Sequence, residues 1–435
     1  MVDSLGYILV VTVERIGIIG LGYVGLPLAV ALARHFRVTG FDLKAERIKE
    51  LHLGQDSTGE IDPANLRAST LHVTTNPEEL KDAGIFIITV PTPVNEDNLP
   101  DLTAVKGACR TVGKFMSKGA IIVLESTVYP GVTEDVCGPL LAEVSGLKSG
   151  VDFFLGYSPE RINPGDREHT VERIMKVVAG QNSEITEKLA EIYGAITTGG
   201  IFKARNIRTA EAAKVIENAQ RDINIAFINE VTMIFGKMGL SVHDVLEASG
   251  TKWNFLPFKP GLVGGHCIGV DPYYLAHCSL DLGHNPEVIL AGRKVNDGMG
   301  RYISTRIDEA LKPIAKKPGR VLILGLTFKE NVPDLRNSKV VDIYNTMKEL
   351  GYAVDVHDPL ASPEEAMEHY GITLLPVLEG MKNYDCVIGA VAHSSYCGFT
   401  AETFLQLLRP QGLVADIKGM WRKTKLPPGL VHWQL

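Results

Sequence analysis

The sequence predicts an α/β fold with two Rossmann-like, doubly wound parallel-sheet domains, joined by a long central helix and a helical middle segment. Two observations support this fold class. Short apolar segments alternate with helical segments in the first part of the chain and again after residue 320, and a long helical pattern separates the two regions. We therefore expect domains over residues 1–205, 206–310 and 311–435.

The apolar segments of both regions are typical of buried parallel strands, because each is rich in Val, Ile or Leu and ends at turn residues. A helix over about residues 22–35 follows the first strand. The predicted strands are residues 15–20, 38–42, 85–90, 120–125, 320–325, 352–357, 386–390 and 413–416.

The central helix is predicted from Thr209, its N-cap, to about residue 235. Polar residues such as Asn218 and Asn229 interrupt its apolar pattern, so it is not a simple amphipathic surface helix. A long and mostly apolar central helix often packs against a second subunit. We therefore expect a homodimer or a higher homo-oligomer.

Composition and charge exclude several classes of protein. Hydrophobic content of 45% and charged content of 22% are ordinary for a globular chain of 435 residues, and no apolar run approaches the length of a membrane span. The net charge of −7 argues against nucleic acid as the main partner. The six cysteines form no C-x-x-C pair and no metal-ligand spacing, which predicts reduced thiols, a cytoplasmic protein and no bound metal.

A dinucleotide-binding fingerprint, G-L-G-Y-V-G at residues 20–25, follows the first strand. Its first glycine makes the tight turn, its second admits a pyrophosphate, and its third permits close packing of helix on strand. Asp42 ends the next strand, where a carboxylate binds ribose hydroxyls and repels the 2′-phosphate of NADP. NAD is therefore the predicted cofactor, although Lys44 and Arg47 weaken this discrimination.

Polar motifs stand at the carboxyl ends of two predicted strands, where open α/β sheets bind ligands. Thr92 and Thr127 can touch the cofactor or order a water there, although Thr is also an ordinary turn residue. Glu160 follows in a polar, turn-rich segment and is either a general base or a solvated loop residue.

Lys214 and Asn218 lie four residues apart on the central helix and so share one face. A lysine among alanine, valine and isoleucine is partly desolvated and can hold an oxyanion, with Asn218 as a further donor. The alternative is a lysine that only extends to solvent at a helix edge. Lys329 and Arg336 follow the first strand of the second region, where they suit a phosphate-bearing ligand or are scattered surface charges.

Cys267 stands in the glycine-rich segment 261–271, next to His266. A hydride acceptor alone turns an alcohol into an aldehyde, whereas a thiol that captures the aldehyde lets a second hydride leave and so gives an acid. The four glycines of the segment argue against the alternative of a plain buried cysteine, because a core position does not need so permissive a backbone. Asp271 and Pro272 predict the N-cap and first-turn proline of a helix.

Taken together and in order, these segments resemble the UDP-glucose/GDP-mannose dehydrogenase family from Arg15 to about Trp421. The segments that carry the resemblance are residues 20–25, 90–93, 125–127, 158–160, 214–218, 264–271 and 328–336. The resemblance implies an enzyme that uses NAD to oxidise the C6 alcohol of a nucleotide sugar to a carboxylate in two hydride transfers. It also implies that the first predicted domain binds NAD, the second dimerises and supplies active-site residues, and the third binds the nucleotide sugar.

Within the family, residues 217–226, 252–258 and 265–274 are most similar to the UDP-N-acetylglucosamine and UDP-N-acetylgalactosamine 6-dehydrogenases. The UDP-N-acetylmannosamine enzymes share the Gly-His-Cys core but differ around Trp253. The UDP-glucose enzymes usually carry a Lys-Asp pair where this chain has Val270 and Asp271, and often an acidic residue where it has Pro164. The resemblance therefore favours a UDP-N-acetylhexosamine substrate, UDP-N-acetylglucosamine first.

The resemblance further implies a role for each site residue. Cys267 would form a thiohemiacetal and then a thioester. The implied catalytic residues, which stabilise oxyanions, move protons or position water beside it, are Cys267, Lys214, Asn218, Asp271, Glu160 and Thr127. The implied NAD-binding residues are Gly20, Gly22, Tyr23, Val24, Gly25, Asp42, Arg47, Pro91, Thr92, Thr127 and Arg336. The implied substrate-binding residues are Glu160, Arg161, Lys214, Asn218, Phe258, Gly261, Gly264 and Lys329.

Other functions remain open from the sequence. UDP-N-acetylmannosamine dehydrogenase and UDP-glucose 6-dehydrogenase are alternatives within the family. A two-electron 3-hydroxyacid dehydrogenase shares the Rossmann-plus-helices plan, but it has no need of Cys267 and reduces one NAD per substrate. A non-catalytic NAD- or nucleotide-binding protein would bind its ligand without turnover.

Overall fold

The computed structural model describes residues 14–95, 97–162, 168, 170–265 and 268–435. The chain forms two compact units, Met1–Val215 and Ile216–Leu435. The boundary falls within the central helix, and the three-domain division remains a prediction. Among the described residues, no helix is long and apolar enough to cross a membrane.

The first unit contains one eight-stranded sheet. Its strands are β1 (Arg15–Ile19), β2 (Arg37–Phe41), β3 (His72–Thr74), β4 (Ile85–Ile88), β5 (Ile121–Leu124), β6 (Phe154–Tyr157), β7 (Lys176–Gly180) and β8 (Ile201–Lys203). The spatial order is β3-β2-β1-β4-β5-β6-β7-β8, and its first six strands have the order of the dinucleotide-binding fold. All neighbouring strands are parallel except β6 and β7, which pair antiparallel.

Helices cover this sheet and create its core. They are α1 (Gly25–Leu32), α2 (Ala45–His52), α3 (Pro63–Ala68), α4 (Thr103–Phe115), α5 (Gly138–Ser145) and α6 (Ser183–Gly194). Helix α1 is shorter than predicted, and every one of its residues is buried. It packs with Ile16 and Ile18 of β1 and with Ile87 of β4 in one hydrophobic cluster, which fixes the turn between β1 and α1.

The central helix α7 (Ile207–Met238) continues into the second unit, followed by α8 (Val242–Ser249), α9 (Asp271–Asp281) and α10 (Glu287–Leu311). The prediction that Thr209 caps α7 is wrong. Asn206 precedes the helix, and its Oδ1 accepts hydrogen bonds of 2.8 Å from the backbone N–H and from the hydroxyl of Thr209. Asn and Thr are both good caps, so only the structure distinguishes these neighbouring candidates.

The second unit contains a five-stranded sheet in the order β10-β9-β11-β12-β13, with all neighbours parallel. This is the second common order of a doubly wound sheet, so the predicted fold class is confirmed in both units. Its elements are β9 (Arg320–Leu324), α11 (Val340–Glu349), β10 (Ala353–His357), α12 (Pro363–Tyr370), β11 (Tyr384–Gly389), α13 (Ser394–Cys397), α14 (Ala401–Leu407), β12 (Leu408–Asp416) and β13 (Val431–Gln434).

Candidate active site

The glycine fingerprint forms the turn between β1 and α1. Gly20 has a φ of +98°, which favours glycine. A Cβ at Gly25 would lie 1.8 Å from the Gly20 carbonyl oxygen, whereas a Cβ at Gly22 would meet nothing within 4 Å. Tyr23 and Val24 are partly exposed beside Gly22. The first and third glycines therefore shape the turn, and the second leaves open backbone surface that fits the pyrophosphate of a dinucleotide.

Asp42 follows β2 and is held by two backbone N–H groups. Its Oδ2 accepts from Leu21 at 2.9 Å, and its Oδ1 accepts from Lys44 at 2.9 Å. A carboxylate offers about four acceptor sites, so these bonds orient Asp42 and leave capacity for ribose hydroxyls. The fixed, partly exposed negative charge fits NAD better than NADP.

Asp42→Ala should narrow the preference for NAD over NADP. The variant loses charge-assisted hydrogen bonds to the ribose, which are worth about 1.5–3 kcal/mol, so kcat/KM for NAD should fall by roughly 10-fold to 100-fold. Kinetics with both dinucleotides measure the effect. Asp42→Asn keeps one acceptor for the Leu21 N–H, loses the acceptor for the Lys44 N–H and removes the charge, so it should also narrow the preference. Equal or better turnover of the unmodified protein with NADP would show that Asp42 does not select the cofactor.

Arg47, on α2, is buried against the same turn. Its Nε donates to the Leu21 carbonyl at 2.9 Å, and its two terminal nitrogens pair with Glu50 and Asp56, each at 2.8 Å. These contacts fix the Leu21 backbone, within the glycine fingerprint, against helix α2. A direct contact of Arg47 with the cofactor stays a prediction.

The carboxyl ends of β4 and β5 are tied to each other. The Thr92 hydroxyl donates to the Thr127 carbonyl at 2.8 Å, and the Ser126 hydroxyl donates to the Val90 carbonyl at 2.6 Å. Pro91 is exposed between these contacts, and Thr92 and Thr127 are partly exposed. The structure thus brings the two predicted threonine motifs together at one edge of the sheet.

Glu160 follows β6 and is buried, not a solvated loop residue. Its Oε1 accepts from the backbone N–H groups of Arg161 and Ile162 at 2.6 and 2.7 Å, and its Oε2 lies 3.3 Å from Lys176 Nζ. The carboxylate is therefore held in one orientation. The guanidinium of Arg161 donates to the Met175 carbonyl at 3.2 Å.

Lys214 and Asn218 are both buried, one helical turn apart on α7. Asn218 Nδ2 lies 2.5 Å from Oδ2 of the buried Asp271. The prediction that Asp271 is an N-cap is wrong, because Val270 is the N-cap and Asp271 is the first residue of α9. The carboxylate of Asp271 is directed to Asn218, so a proton-accepting group and an amide donor lie side by side.

The glycine-rich segment is clamped at two of its glycines. The Asn229 amide accepts from the Gly261 N–H at 2.8 Å and donates to the Gly261 carbonyl at 3.0 Å. The Asn337 backbone carbonyl accepts from the Gly265 N–H at 3.2 Å, while its side chain donates to the Gly265 carbonyl at 3.0 Å. A Cβ at Gly264 would lie 2.5 Å from the Asn337 carbonyl oxygen, so this close approach requires glycine.

His266 and Cys267 lie outside the described residues, as does Pro164. The role of Cys267 therefore stays a prediction that rests on the sequence and on the resemblance. Phe258, which precedes the segment, is partly exposed.

A cavity of the second unit lies beside this segment. Among its lining residues are Gly264, Phe328, Lys339 and Lys418. Burial lowers the pKa of Lys339, but the carboxylates of Asp297 and Asp342 outweigh burial and raise it, so this lysine is a stable cation. Lys339 pairs with Asp297 at 3.2 Å and with Asp342 at 3.4 Å, and Glu330 also lines the cavity, so carboxylates balance part of the positive charge beside the glycine backbone.

The two cations that the sequence singled out are close to this region of the fold. Lys329 is partly exposed after β9. The exposed Arg336 pairs with Asp334 through its Nε at 3.0 Å and one terminal nitrogen at 2.6 Å. Their predicted contacts with the nucleotide sugar and with NAD stay predictions.

The second unit repeats the start of the dinucleotide-binding fold but not its site. The Leu326 N–H donates to Asp358 Oδ2 at 2.6 Å, just as Leu21 donates to Asp42, and Gly325 has a φ of +93°. Asp358, however, is buried and lies 3.1 Å from His393 Nε2. The Asp358 carboxylate therefore contacts a buried histidine, which agrees with the lack of a dinucleotide-binding fingerprint after β9.

Sequence reasoning missed several residues that shape these sites. The hydroxyl of Thr89 donates to the Gly20 carbonyl at 2.7 Å and so connects β4 to the fingerprint. The sequence signal for Thr89 was a hydroxyl residue directly after an apolar strand. Lys176 opens a buried strand, where a lysine is unusual. Ser126 lies inside the predicted motif at residues 125–127 but was not singled out, and the other missed residues are Asn337, Lys339 and Lys418.

The glycine turn, the fixed Asp42 and the sheet order define a dinucleotide-binding protein of the Rossmann class. Residues 14–197 match the NAD binding domain of the UDP-glucose/GDP-mannose dehydrogenase family, residues 208–298 match its central domain, and residues 322–423 match its UDP binding domain. The chain belongs to this family, which confirms the resemblance and NAD as the cofactor.

Two relatives cover nearly the whole chain. A UDP-N-acetyl-D-glucosamine 6-dehydrogenase of Pseudomonas aeruginosa is 52% identical over 94% of this chain and 98% of its own length. Protein CapL of Staphylococcus aureus is 50% identical over 97% of this chain and 100% of its own length. The UDP-D-ManNAc dehydrogenase structure from Pyrococcus horikoshii has a TM-score of 0.86 at 29% identity, over 97% of this chain and 99% of that one. The chain is therefore an NAD-dependent nucleotide-sugar dehydrogenase.

Proposed function

We propose that the protein oxidises the C6 alcohol of a UDP-N-acetylhexosamine, UDP-N-acetylglucosamine first, to the uronic acid. The observation that supports this substrate is sequence identity. The chain is 52% and 47% identical to two relatives named UDP-N-acetyl-D-glucosamine 6-dehydrogenase, but 35% identical to one named UDP-N-acetyl-D-mannosamine dehydrogenase. The match to a UDP binding domain supports a nucleotide-sugar substrate over a hydroxyacid.

The first oxidation needs a group that stabilises the developing alkoxide and a group that takes its proton. NAD, when bound, accepts one hydride in each of the two oxidations. The buried Lys214 supplies positive charge, and Asn218 supplies an amide donor at the next helical turn. Asp271, 2.5 Å from Asn218, is the proton acceptor that this arrangement offers.

The second oxidation and the hydrolysis need a nucleophile and a base. In the proposed mechanism, Cys267 adds to the aldehyde as a thiohemiacetal, and its oxidation gives a thioester. Water then attacks the thioester while Glu160 takes a proton from it, and the products are the acid and the free thiolate. The two backbone N–H groups that donate to Glu160 Oε1 keep its carboxylate in one orientation during this step.

A panel of UDP-sugars tests the proposal. With NAD present, UDP-N-acetylglucosamine or its galacto epimer should show a kcat/KM at least about 10-fold above that of UDP-glucose, because a site built for the acetamido group loses a hydrogen bond with glucose. NADH and acid product are measured together and should appear in a ratio of two to one. A preference for UDP-glucose or for the manno epimer would contradict this substrate assignment.

We also propose a homodimer that forms through an apolar stripe on α7. Ile216, Phe227, Ile234 and Met238 are each half or more exposed. Their spacings of 11, 7 and 4 residues place them within about 40° of one another around the helix, since each residue turns by about 100°. A row of exposed apolar side chains along one face of a helix is typical of a protein–protein contact, although the exposed Gln220 and Glu230 interrupt this one.

The double variant Phe227→Glu/Ile234→Glu should break the dimer. Two carboxylates in the stripe would lose their hydration on association, and this desolvation cost opposes the dimer contact. Sedimentation velocity should give twice the chain mass of 47.4 kDa for the unmodified protein and the single mass for the variant. Leu405→Glu, which changes an equally exposed leucine on α14, should leave the dimer intact. A monomeric unmodified protein would refute the proposal.

We place the protein in the cytoplasm. The cysteines that the structure describes, at positions 109, 137, 278, 386 and 397, are all free thiols. Free thiols are the rule in a reducing compartment.

A further inference from the structure

A buried charge cluster lies directly behind Glu160 in the first unit. Lys176, which is 0% exposed, opens β7, and β7 runs antiparallel to β6, so Lys176 lies at the edge of the sheet where Glu160 follows β6. Its Nζ is 3.3 Å from Glu160 Oε2 and 3.4 Å from Oε2 of the buried Glu125, at the end of β5. Two carboxylates therefore share one ammonium group.

Other groups face this cluster from the neighbouring elements. Tyr193 of α6 places its ring 5.2 Å from Lys176 Nζ, and Ser158 belongs to the same segment as Glu160. Within the described part of the chain, Glu125 Oε1, Ser158 Oγ and the Tyr193 hydroxyl are buried without a well-formed hydrogen bond. The Tyr193 hydroxyl is nevertheless close enough to Glu125 and to Ser158 to interact with both. Glu125 therefore lies in a buried cluster with one ammonium group and two hydroxyls.

The charges of the cluster do not balance when all three groups are ionised. Burial raises the pKa of Glu125 to about 7, despite the opposing charge of Lys176. Burial lowers the pKa of Lys176, but the two glutamates outweigh burial and raise it, so Lys176 stays cationic. Glu125 can therefore gain or lose a proton near neutral pH.

We propose that Lys176 is a positioning residue for hydrolysis and that Glu125 stores the proton that Glu160 removes from water. This inference rests on the proposed function, in which Glu160 activates the water that cleaves the thioester. The water oxygen bonds to the thioester carbon, the C–S bond breaks, and the water proton moves to Glu160. Glu160 passes a proton to Lys176 Nζ as Nζ releases another to Glu125. Glu160 is then ionised again, and Glu125 is neutral until solvent takes its proton by the reverse route.

Glu125→Gln and Lys176→Met separate this role from a structural one. In Glu125→Gln, two NADH per site should form at the rate of the unmodified protein, because both oxidations precede hydrolysis. Release of the acid should then fall by about 10-fold or more, because positioned proton transfer typically contributes about 100-fold to 10,000-fold and this variant impairs only part of the route. Rapid-quench measurement of NADH and acid gives both rates. If the burst of NADH slows as much as the release of acid, the cluster is structural.

The two variants should also shift the pH profile of hydrolysis in opposite directions. In Lys176→Met, the buried carboxyls of Glu125 and Glu160 hold a proton between them. The midpoint of the pH profile of hydrolysis should therefore rise by about one pH unit or more. Without the Glu125 charge, Lys176 faces Glu160 alone, so the midpoint should fall. Lys176→Arg should restore the profile in part because it keeps the charge. Shifts in the same direction would overturn the proposal.

Glu211→Gln is the matched control for loss of a buried carboxylate in the same unit. Glu211 accepts hydrogen bonds from the Gly131 N–H at 2.6 Å and from the Thr133 N–H at 2.9 Å, and burial raises its pKa. This variant should lose stability but should leave the midpoint of the hydrolysis profile in place. A shift as large as that of Glu125→Gln would show that any buried carboxylate has this effect.

A measurement without substrate tests the stored proton itself. Infrared difference spectroscopy of the free protein should show one buried carboxylic acid that titrates near pH 7 and that is missing in Glu125→Gln. If the unmodified protein shows no such group, Glu125 stores no proton and the inference fails, whatever the substrate. If the group is present but no UDP-sugar yields an acid, the proposed function is wrong, and with it the part played by Lys176 in hydrolysis.

Discussion

Cys267→Ser should abolish steady-state oxidation of the sugar, with a loss of about a thousandfold or more in kcat. A serine hydroxyl forms the adduct with the aldehyde poorly, and the resulting ester hydrolyses slowly compared with a thioester. Affinities for NAD and for the nucleotide sugar should stay close to those of the unmodified protein, because the substitution changes one atom. Stopped-flow NADH formation and equilibrium binding measure the two effects separately.

Cys397→Ser is the matched control for this experiment, because Cys397 is an exposed free cysteine on α13. Its turnover should equal that of the unmodified protein. Glu160→Gln should retain both oxidations and stall afterwards, so intact-protein mass spectrometry should find the sugar attached to Cys267. Full conversion to the acid by Cys267→Ser at the normal rate would show that the thiol is structural.

Arg293→Ala should have the largest effect on stability. Arg293 is buried on α10, where it pairs with Asp222 of α7 at 2.7 Å and with Asp297 at 2.5 Å. Removal of one partner leaves a buried charge without compensation, which typically costs about 3–5 kcal/mol. Urea denaturation, followed by circular dichroism, gives the change in the free energy of unfolding.

Arg301→Ala on the same helix is the control. Arg301 pairs with Glu349 at 3.0 Å, but both side chains are more than half exposed, so the loss should be within about 0–1 kcal/mol. The double variant Asp222→Asn/Arg293→Met should recover much of the stability, because it removes the opposed charges together. A loss for Arg293→Ala no larger than that for Arg301→Ala would refute this account of the buried pair.

The same polar network supports the glycine-rich segment, so Arg293→Ala should also lower activity. Asn296 donates to Asp222 Oδ1 at 2.7 Å, and Asn229 donates to Asn296 Oδ1 at 2.8 Å. Asn229 also holds both polar groups of Gly261. Loss of the central charge therefore loosens a continuous chain of hydrogen bonds that ends at the segment of Cys267.

Strand positions and the dinucleotide turn could be predicted because their signals are local. Gly20 needs a positive φ, Gly25 needs the absence of a Cβ, and Asp42 stands one strand later, so the residue types report the backbone directly. β3 and β8, with three residues each, escaped prediction because so few residues carry no clear periodicity. The longer β7 and β13 were also not predicted. The helix caps were misplaced by one to three residues for a similar reason.

The sequence by itself determined the fold class, the cofactor turn and the family, together with the residue types available for catalysis. Only the tertiary structure decided which of them are partners: Lys176 with Glu125, 51 residues away, Asn229 with Gly261, 32 residues away, and Asn218 with Asp271, 53 residues away. The physical reason is the separation of these partners along the chain. Turns, caps and periodicity depend on the conformation of neighbouring residues, whereas a buried hydrogen bond between distant residues depends on strand order, register and packing, which no local segment contains.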